Sequence, residues 1–424
     1  MSTGGAMTST DTGSTAISDI SHDRRITTAL FAAGLTTFAS MYSAQALLPS
    51  LSAAFGVAPA QAALAVSLTT GLLALAIIPV SALSSRIGRT TVMTGSAVIS
   101  AAIGLLLPLS PSLDVLLAGR ALQGVALAGV PAVAMAYLAE EIGGDGLGAA
   151  MGIYVAGTSI GGLAGRLIPA VALDLTSWRW AEAAIAVAAA GCTVWFVRGL
   201  PPSRGFVARP AGMRSALGDL GRSLRHRGLL ALFGLAFVLM GGFVSIYNFL
   251  GYRLARPPFE LPSAVAGSVF LLYLAGTLAS AAAGRWADRF GKHRVLAASV
   301  ALMGGGVLVT IADHLIAIIL GIALCTAGFF GAHAVASTWV GAMAPGNRGA
   351  ASSLYLFAYY LGSAIIGSTV GIAYAKQGWP GLTACVGALL AVAALLVWSL
   401  RPRGAGGALA VLGLGDDRGS HPSA

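Results

Sequence analysis

Long apolar runs alternate with short polar loops over most of this chain. A helix that crosses the hydrocarbon core of a bilayer needs roughly 20 mostly apolar residues. Twelve runs of this kind predict twelve membrane-spanning helices, near 26–49, 62–84, 91–109, 113–137, 148–172, 180–199, 229–251, 263–284, 295–312, 314–341, 349–373 and 379–400. We number them spans 1 to 12 in chain order.

The second half of the chain repeats features of the first. The loops that follow spans 2 and 8 match at positions 203 residues apart, which pair Arg86 with Arg289, Gly88 with Gly291 and Arg89 with Lys292. Farther along, Gly148, Tyr154 and Gly161 recur 201 residues later as Gly349, Tyr355 and Gly362. The repeat predicts an all-α membrane protein of two pseudo-symmetric six-helix halves, an arrangement typical of transporters whose halves rock against each other.

The same pattern predicts five regions. A polar, disordered N-terminal tail covers 1–25, the first half covers 26–199, a basic linker covers 200–228, the second half covers 229–400 and a C-terminal tail covers 401–424. Within the linker, the spacing of apolar residues over 213–225 predicts a short amphipathic helix lying on the membrane surface.

Composition and charge place the chain in a membrane. Residues are 57% hydrophobic and 9% charged, whereas a soluble protein has about a quarter of its residues charged. The net charge of +10 comes from loops and argues against nucleic acid as a partner. The N-tail, the even-numbered loops and the C-tail hold 19 Lys and Arg residues, against four in the opposite loops. The positive-inside rule then predicts that both termini are cytoplasmic. The expected location is the plasma membrane of a bacterium.

The loop after span 8 reads Gly-Arg-Trp-Ala-Asp-Arg-Phe-Gly-Lys over 284–292 and resembles motif A of the major facilitator superfamily. The resemblance covers about 26–400 and implies the major facilitator fold. It also implies that Asp288 faces the positive N-terminal end of span 5, near Gly148, and holds a gate closed in one state. The first copy has Ser85 in place of the aspartate. The residues assigned to this gate are Ser85, Arg86, Gly88, Arg89, Gly284, Asp288, Arg289, Gly291 and Lys292.

Span 4 carries Arg120 and Gln123 in a stretch similar to motif B of the same family. An arginine within the hydrocarbon is costly and needs a partner in the protein or in water. The resemblance implies that Arg120 takes part in proton coupling or holds an anionic group. The alternative is that its side chain extends to the outer membrane interface.

Span 5 carries a stripe of glycines that resembles motif C of the antiporter branch, made of Gly148, Gly157, Gly161 and Gly165. Small residues four apart let two helices approach closely. In the family this stripe packs span 5 on span 8 and closes the outer side, although generic helix packing explains the spacing as well. Gly162 replaces the motif's proline and Arg166 its last glycine; we expect Arg166 to extend to the outer interface.

Stretches 241–253 and 328–337 resemble bacterial drug:proton antiporters of the acriflavine-sensitivity or arabinose-efflux-permease type. In that fold spans 1, 4, 7 and 10 line the central cavity, and span 11 adds two tyrosines. A weakly polar, aromatic lining suits a neutral or anionic amphipathic molecule. The predicted cavity residues are Tyr42, Gln45, Gln123, Tyr247, Asn248, Trp339, Tyr355 and Tyr359.

Proton coupling needs a titratable group in the pathway. None of the 15 acidic residues is predicted in the middle of a span, and Asp114 and Glu182 are among those at outer span ends. His333, inside span 10, is the candidate proton carrier, and Asp114 with Arg120 is the rival pair. Uniport, or exchange of an anion held by Arg120, stays open.

No ATP-binding phosphate loop and no catalytic constellation is present in the sequence, and the three cysteines lie in apolar runs. We therefore predict no enzyme activity, no cofactor and no metal. The predicted function is secondary active, proton-coupled export of small amphipathic compounds by a monomer in the bilayer. The alternatives are a carrier of sugars, organic anions or other metabolites, and a transporter-like sensor without flux.

Overall fold

The computed structural model describes residues 11–142, 146–204, 213–344 and 348–401. Spans 1 to 3 are Asp11–Phe55, Pro59–Ile87 and Arg89–Leu106, and a 3-10 turn at Leu107–Leu109 follows span 3. Span 4 consists of two helices, Leu113–Leu127 and Gly129–Glu141. Spans 5 and 6 are Leu147–Leu173 and Trp178–Gly199. Span 7 is Arg227–Leu254. Span 8 consists of three consecutive helical segments, Ser263–Gly267, Ser268–Leu272 and Tyr273–Phe290. Spans 9 and 10 are Lys292–Val309 and Leu315–Met343. Spans 11 and 12 lie within Arg348–Ser399 and are separated by a break at Gly378, whose φ of 64° and ψ of −148° are not helical.

Ten helices in the described ranges are long and apolar enough to cross a membrane. The helix Arg348–Ser399 counts once among them, and span 1, which buries Thr36, Ser40 and Gln45, is not included. Division at Gly378 and the addition of span 1 give the twelve predicted spans. We call the end of the bundle at which span 1 begins the termini side, and the opposite end the far side.

The two tails and the linker were predicted from composition. Residues 11–25, predicted as part of a disordered tail, are helical and continue into span 1, while 1–10 and 402–424 lie outside the described residues. In the linker a helix forms at Met213–Arg225, where the amphipathic segment was predicted.

Single glycines join spans 2 and 3 and spans 8 and 9. Gly88 has a φ of 105° and Gly291 a φ of 88°, values that side chains other than glycine rarely adopt. The sequence repeat at these two positions is therefore a repeat of one tight turn, used once in each half.

The glycine stripe of span 5 packs on span 1 of its own half, not on span 8 as predicted. A Cβ at Gly157, Gly161 or Gly165 would strike backbone atoms of span 1, at Phe31, Leu35 and Ala39. The second half repeats the contact, since Gly362 of span 11 lies against the backbone of Phe237 in span 7. Gly148, the fourth member of the stripe, has open space around it. The stripe thus holds one half together, because its small-residue face is turned toward span 1.

We expect Gly161→Ala to destabilise the protein by about 1–3 kcal/mol, as overpacking in a close helix contact does. The added methyl would meet the Cα of Leu35 at 2.7 Å. Thermal unfolding of the purified protein in detergent measures the effect. Gly152→Ala is the matched control in the same helix, because a Cβ there meets nothing within 4 Å. Equal melting temperatures for the two variants would contradict the packing.

Candidate transport pathway and gates

Arg120 is enclosed within the first half and is 1% exposed. Its guanidinium does not reach the outer interface, so the alternative of an extended side chain is wrong. It donates hydrogen bonds of 2.8–3.1 Å to the backbone oxygens of Ser40, Met41 and Ala65, the hydroxyl of Ser43 and the amide oxygen of Gln123. These bonds tie spans 1, 2 and 4 together around one charge.

The acidic partner of Arg120 is Glu182, which the sequence places at an outer span end. Arg120 Nη1 lies 3.9 Å from Glu182 Oε1, and Ser43 donates to the same oxygen at 3.0 Å. Glu182 is 4% exposed. Asp114, which was paired with Arg120 as the alternative to His333 for proton coupling, is exposed at the start of span 4. Helical periodicity in the sequence could have shown that Glu182 is buried, because it lies on the same face of span 6 as the apolar Trp178 and Ile185.

Glu182 also keeps one oxygen without a partner. Its Oε2 is buried and accepts no hydrogen bond from the described residues. A cavity of about 10 Å³, measured as space open to the centre of a water molecule, lies beside it, and this volume is enough for one water. The Arg120 and Glu182 pair is thus an internal site of the first half with room for a water molecule.

Gln123, predicted to line the central cavity, belongs to this internal site. Its side chain is 1% exposed. It accepts from Arg120 and donates to the backbone oxygen of Ser100 at 3.2 Å. Span 4 therefore turns its polar residues into the first half, away from the second.

His333 lies in an aromatic cluster of the second half. The hydroxyl of Tyr355 lies 3.0 Å from His333 Nδ1, and the ring of Tyr359 lies 4.8 Å away. Phe329 stacks on His333 at 6.1 Å. The structure thus brings together three residues that sequence reasoning assigned to the pathway. Trp339 lies farther along span 10, partly buried against the core of the second half.

The cluster continues toward the first half through stacked rings. Phe243 stacks on Phe329 with ring centroids 3.9 Å apart, and Tyr247 and Tyr273 pack on Phe243. The Tyr247 hydroxyl shares a hydrogen bond of 2.7 Å with Thr326. Aromatic side chains therefore form an unbroken row from His333 to the interface between the halves.

Arg166 lies at the end of this row, between the halves, and is 3% exposed. The expectation that it extends to the membrane interface is wrong. Its Nε donates to Gln45 at 2.6 Å, and Gln45 donates in turn to Asn248 of span 7 at 2.7 Å. Asn248 donates to the backbone oxygen of Gly367 in span 11. Spans 5, 1, 7 and 11 are thus linked by one chain of hydrogen bonds through two of the predicted cavity residues.

The halves meet closely on the far side. The Tyr252 hydroxyl bonds to the backbone oxygen of Leu48 and to Ser52, at 2.7 and 2.6 Å. Both oxygens of Asp174, at the end of span 5, accept from the first backbone N–H groups of span 8, those of Ser263 and Ala264, at 2.7 and 2.9 Å. Asp174 therefore caps the beginning of a helix in the other half.

At the predicted motif A gate on the termini side, the described residues make no contact between the halves. Asp288 is exposed and makes no hydrogen bond or ion pair with the described residues. Cβ atoms built at Gly148 and Gly284 meet nothing within 4 Å. In the first copy, Arg89 instead forms an ion pair with Glu140 at 2.8 Å within its own half. The contact expected between Asp288 and span 5 is not made in this conformation.

We expect Glu182→Gln to lower stability by about 3–5 kcal/mol, because it leaves the buried charge of Arg120 without its partner. Removal of both charges in Arg120→Gln with Glu182→Gln should cost less than the sum of the single changes. Chemical unfolding of the four proteins gives this double-mutant cycle. Asp114→Asn, an exposed carboxylate, serves as the control and should be neutral. Strict additivity of the two single changes would show that the pair is not coupled.

Comparison with known proteins agrees with this architecture. The family model described as Major Facilitator Superfamily matches residues 30–272 and 259–414. The uncharacterized MFS-type transporter YybF of Bacillus subtilis (strain 168) is 41% identical over 374 residues, which is 87% of this chain and 92% of that protein. The inner membrane transport protein YnfM of Escherichia coli (strain K12) is 42% identical over 375 residues, covering 88% and 89%.

Solved structures share the fold at low identity. The nucleoside transporter NupG superposes with a TM-score of 0.72 at 11% identity, over 89% of this chain and all of that one. The E. coli xylose transporter XylE, in a partially occluded inward-open conformation, superposes with a TM-score of 0.68 at 18% identity, over 91% and 99%. The family match over both halves and the relatives at 41% and 42% identity establish that the chain is a membrane transport protein, not an enzyme, and belongs to the Major Facilitator Superfamily.

Proposed function

We propose that this protein is a proton-coupled secondary transporter that exports small amphipathic compounds by alternating access. The observation that carries the proposal is a pair of reciprocal acidic residues on spans 5 and 8. Asp174 ends span 5 and caps the beginning of span 8 on the far side. Asp288 lies at the end of span 8, on the side where span 5 begins.

The two positions satisfy what alternating access requires. A transporter that exposes its site to one side at a time needs contacts that form on one side when they break on the other. The Asp174 contact is made here, and the Asp288 contact is open. We propose that rocking of the halves releases Asp174 and brings Asp288 to the N-terminal end of span 5, near Gly148.

We propose that the termini side is cytoplasmic. The imbalance of 19 basic residues against four in the loops supports this orientation. With that orientation the conformation described here is closed to the outside and open to the cytoplasm, as an exporter needs in order to load its substrate.

Two groups are candidates for proton transfer. His333 lies between Tyr355 and Tyr359 in the row of aromatic side chains. Glu182, which the sequence analysis did not propose, has a buried oxygen without a partner and space for a water molecule. Ionisable side chains inside a membrane domain commonly belong to proton relays, and these two lie in different halves.

The experiment that tests this function is a measurement of internal pH in proteoliposomes with a pH-sensitive dye, while cationic dyes, neutral amphiphiles and sugars are added one at a time. Movement of protons that a substrate evokes, in the direction opposite to the substrate, supports antiport. Abolition of this proton movement in His333→Ala or in Glu182→Gln assigns the carrier, provided that the variant is still folded. Flux of a substrate without a proton signal would contradict proton coupling and favour a uniporter or an exchanger.

We expect Asp174→Asn and Asp288→Asn to shift the conformation in opposite directions. Asp174→Asn keeps one acceptor oxygen but removes the negative charge and the second acceptor at the beginning of span 8, a loss of about 0.3–1 kcal/mol that corresponds to about a 2- to 5-fold change in the ratio of two conformations. Loss of Asp288 destabilises the opposite conformation. Both variants should transport slowly, because each biases the cycle.

A cavity lined by Gln45, Ala46 and Phe270, which we call the far-side cleft, lies where the halves meet on the far side. Labelling of a cysteine in this cleft reads out the shift. Ala46, which lines that cleft, is changed to cysteine in a variant whose Cys192, Cys325 and Cys385 are serine. A membrane-impermeant maleimide applied from the far side should react faster in Asp174→Asn and slower in Asp288→Asn. Asp114→Asn is the control and should leave the rate unchanged. A change in the same direction for both aspartates would refute their reciprocal roles.

A further inference from the structure

Arg166 differs from the other buried arginines in its charge environment. Arg120, Arg166 and Arg253 are each at most 8% exposed in the described part of the chain. Arg120 lies beside Glu182, and Arg253 donates to Asp313 at 2.9 Å. No carboxylate of the described residues pairs with Arg166. A buried charge without a counter-charge is costly in a membrane domain and marks a ligand or ion pathway.

Neutral groups surround the Arg166 guanidinium. Its Cζ lies 4.0 Å from the ring centre of Tyr42, 4.7 Å from that of Tyr273 and 5.2 Å from that of Phe270. These cation–π contacts offset part of the desolvation cost but do not neutralise the charge. Nε donates to Gln45, Nη1 to the backbone oxygen of Gly162 and Nη2 to the Tyr273 hydroxyl, at 2.6, 2.6 and 3.3 Å.

These three bonds leave donors free for a ligand. A guanidinium has five N–H groups in a planar fork, and three of them are directed at Gln45, Gly162 and Tyr273. The planar fork matches the two oxygens of a carboxylate. Aromatic rings on either side offer an apolar surface to the rest of such a ligand.

We propose that Arg166 is the anion-binding residue of the transport pathway, and that the substrate is a small organic anion with a carboxylate on an aromatic or planar apolar body. The inference rests on the proposed transport function and narrows its substrate class. The aromatic row from Arg166 to His333 would hold the apolar body, and Arg166 its charge.

The position of Arg166 also connects binding with rocking of the halves. Gln45 accepts from Arg166 and donates to Asn248, so it bridges spans 1 and 7. Gln45 and Phe270 also line the far-side cleft, whose volume is about 60 Å³. An anion bound to Arg166 would compete with Gln45 for the Nε donor. This competition would weaken the Gln45 bridge between spans 1 and 7, which helps to close the far side.

Thermal unfolding of the purified protein in detergent tests the site with three probes of one shape: 4-phenylbutyrate, its neutral amide and 4-phenylbutylamine. We expect the carboxylate at millimolar concentration to raise the melting temperature, and the amide and the amine to leave it unchanged. Arg166→Gln should abolish the carboxylate effect. Arg179→Gln, which removes an exposed arginine of the far side, has the same change in net charge and should retain it.

Gln45→Glu is the decisive second variant, because it keeps the shape of the side chain. It places a carboxylate next to Arg166 Nε and supplies the missing counter-charge, while it loses the hydrogen bond that Gln45 donates to Asn248. We expect the affinity for 4-phenylbutyrate to fall by at least about tenfold. This variant decides the question if Arg166→Gln does not fold.

Two results would overturn the proposal: no stabilisation of the unmodified protein by the carboxylate, or equal stabilisation of the unmodified protein and Gln45→Glu. The proteoliposome assay, with 4-phenylbutyrate added to its set of compounds, separates this failure from failure of the transport function. Flux of a neutral or cationic compound without carboxylate binding keeps the transporter and removes the anion site. Arg166-dependent carboxylate binding without flux keeps the site and removes the transport function.

Discussion

Charged side chains inside the spans have to find their partners within the protein, since hydrocarbon supplies none. This constraint organises both halves. Arg120 draws backbone oxygens of spans 1 and 2 and the carboxylate of Glu182 to one point. Arg253 joins span 7 to Asp313 beyond span 9. Arg166 meets the constraint with rings and an amide that come from both halves, so its surroundings depend on how the halves are placed.

Close backbone contacts hold the spans together within each half, whereas polar bridges join one half to the other. Within each half, glycines bring span 5 against span 1 and span 11 against span 7, and such contacts tolerate little movement. Between the halves, the contacts described here concentrate on the far side and include hydrogen bonds such as those of Asp174 and Gln45. Hydrogen bonds of this kind can break and reform at small net cost. Two stiff bodies joined by exchangeable bonds are suited to rocking.

Sequence periodicity and resemblance predicted the architecture well and the site in part. The twelve spans and the duplicated turn at Gly88 and Gly291 were readable from spacing, and the assignment of His333, Tyr355 and Tyr359 to one pathway came from the family resemblance. The helix on which the glycine stripe packs could not be read from spacing. Spacing shows that one face of a helix carries small residues, but it does not show which helix that face contacts. Gln123 was misplaced for the same reason, since a helix with polar residues on one face can turn it inward or toward the other half.

The sequence by itself determined that the chain lies in a lipid bilayer, how many spans it has and that its two halves repeat, because these properties depend on the length and period of the apolar runs. Only the tertiary structure decided the partners of the buried charges. Glu182 lies 62 positions from Arg120, and Gln45 lies 121 positions from Arg166. Which of several polar side chains reaches a buried arginine depends on the rotation and depth of each helix, and these are set by packing among the spans. The same packing left Arg166 without an acidic partner among the described residues.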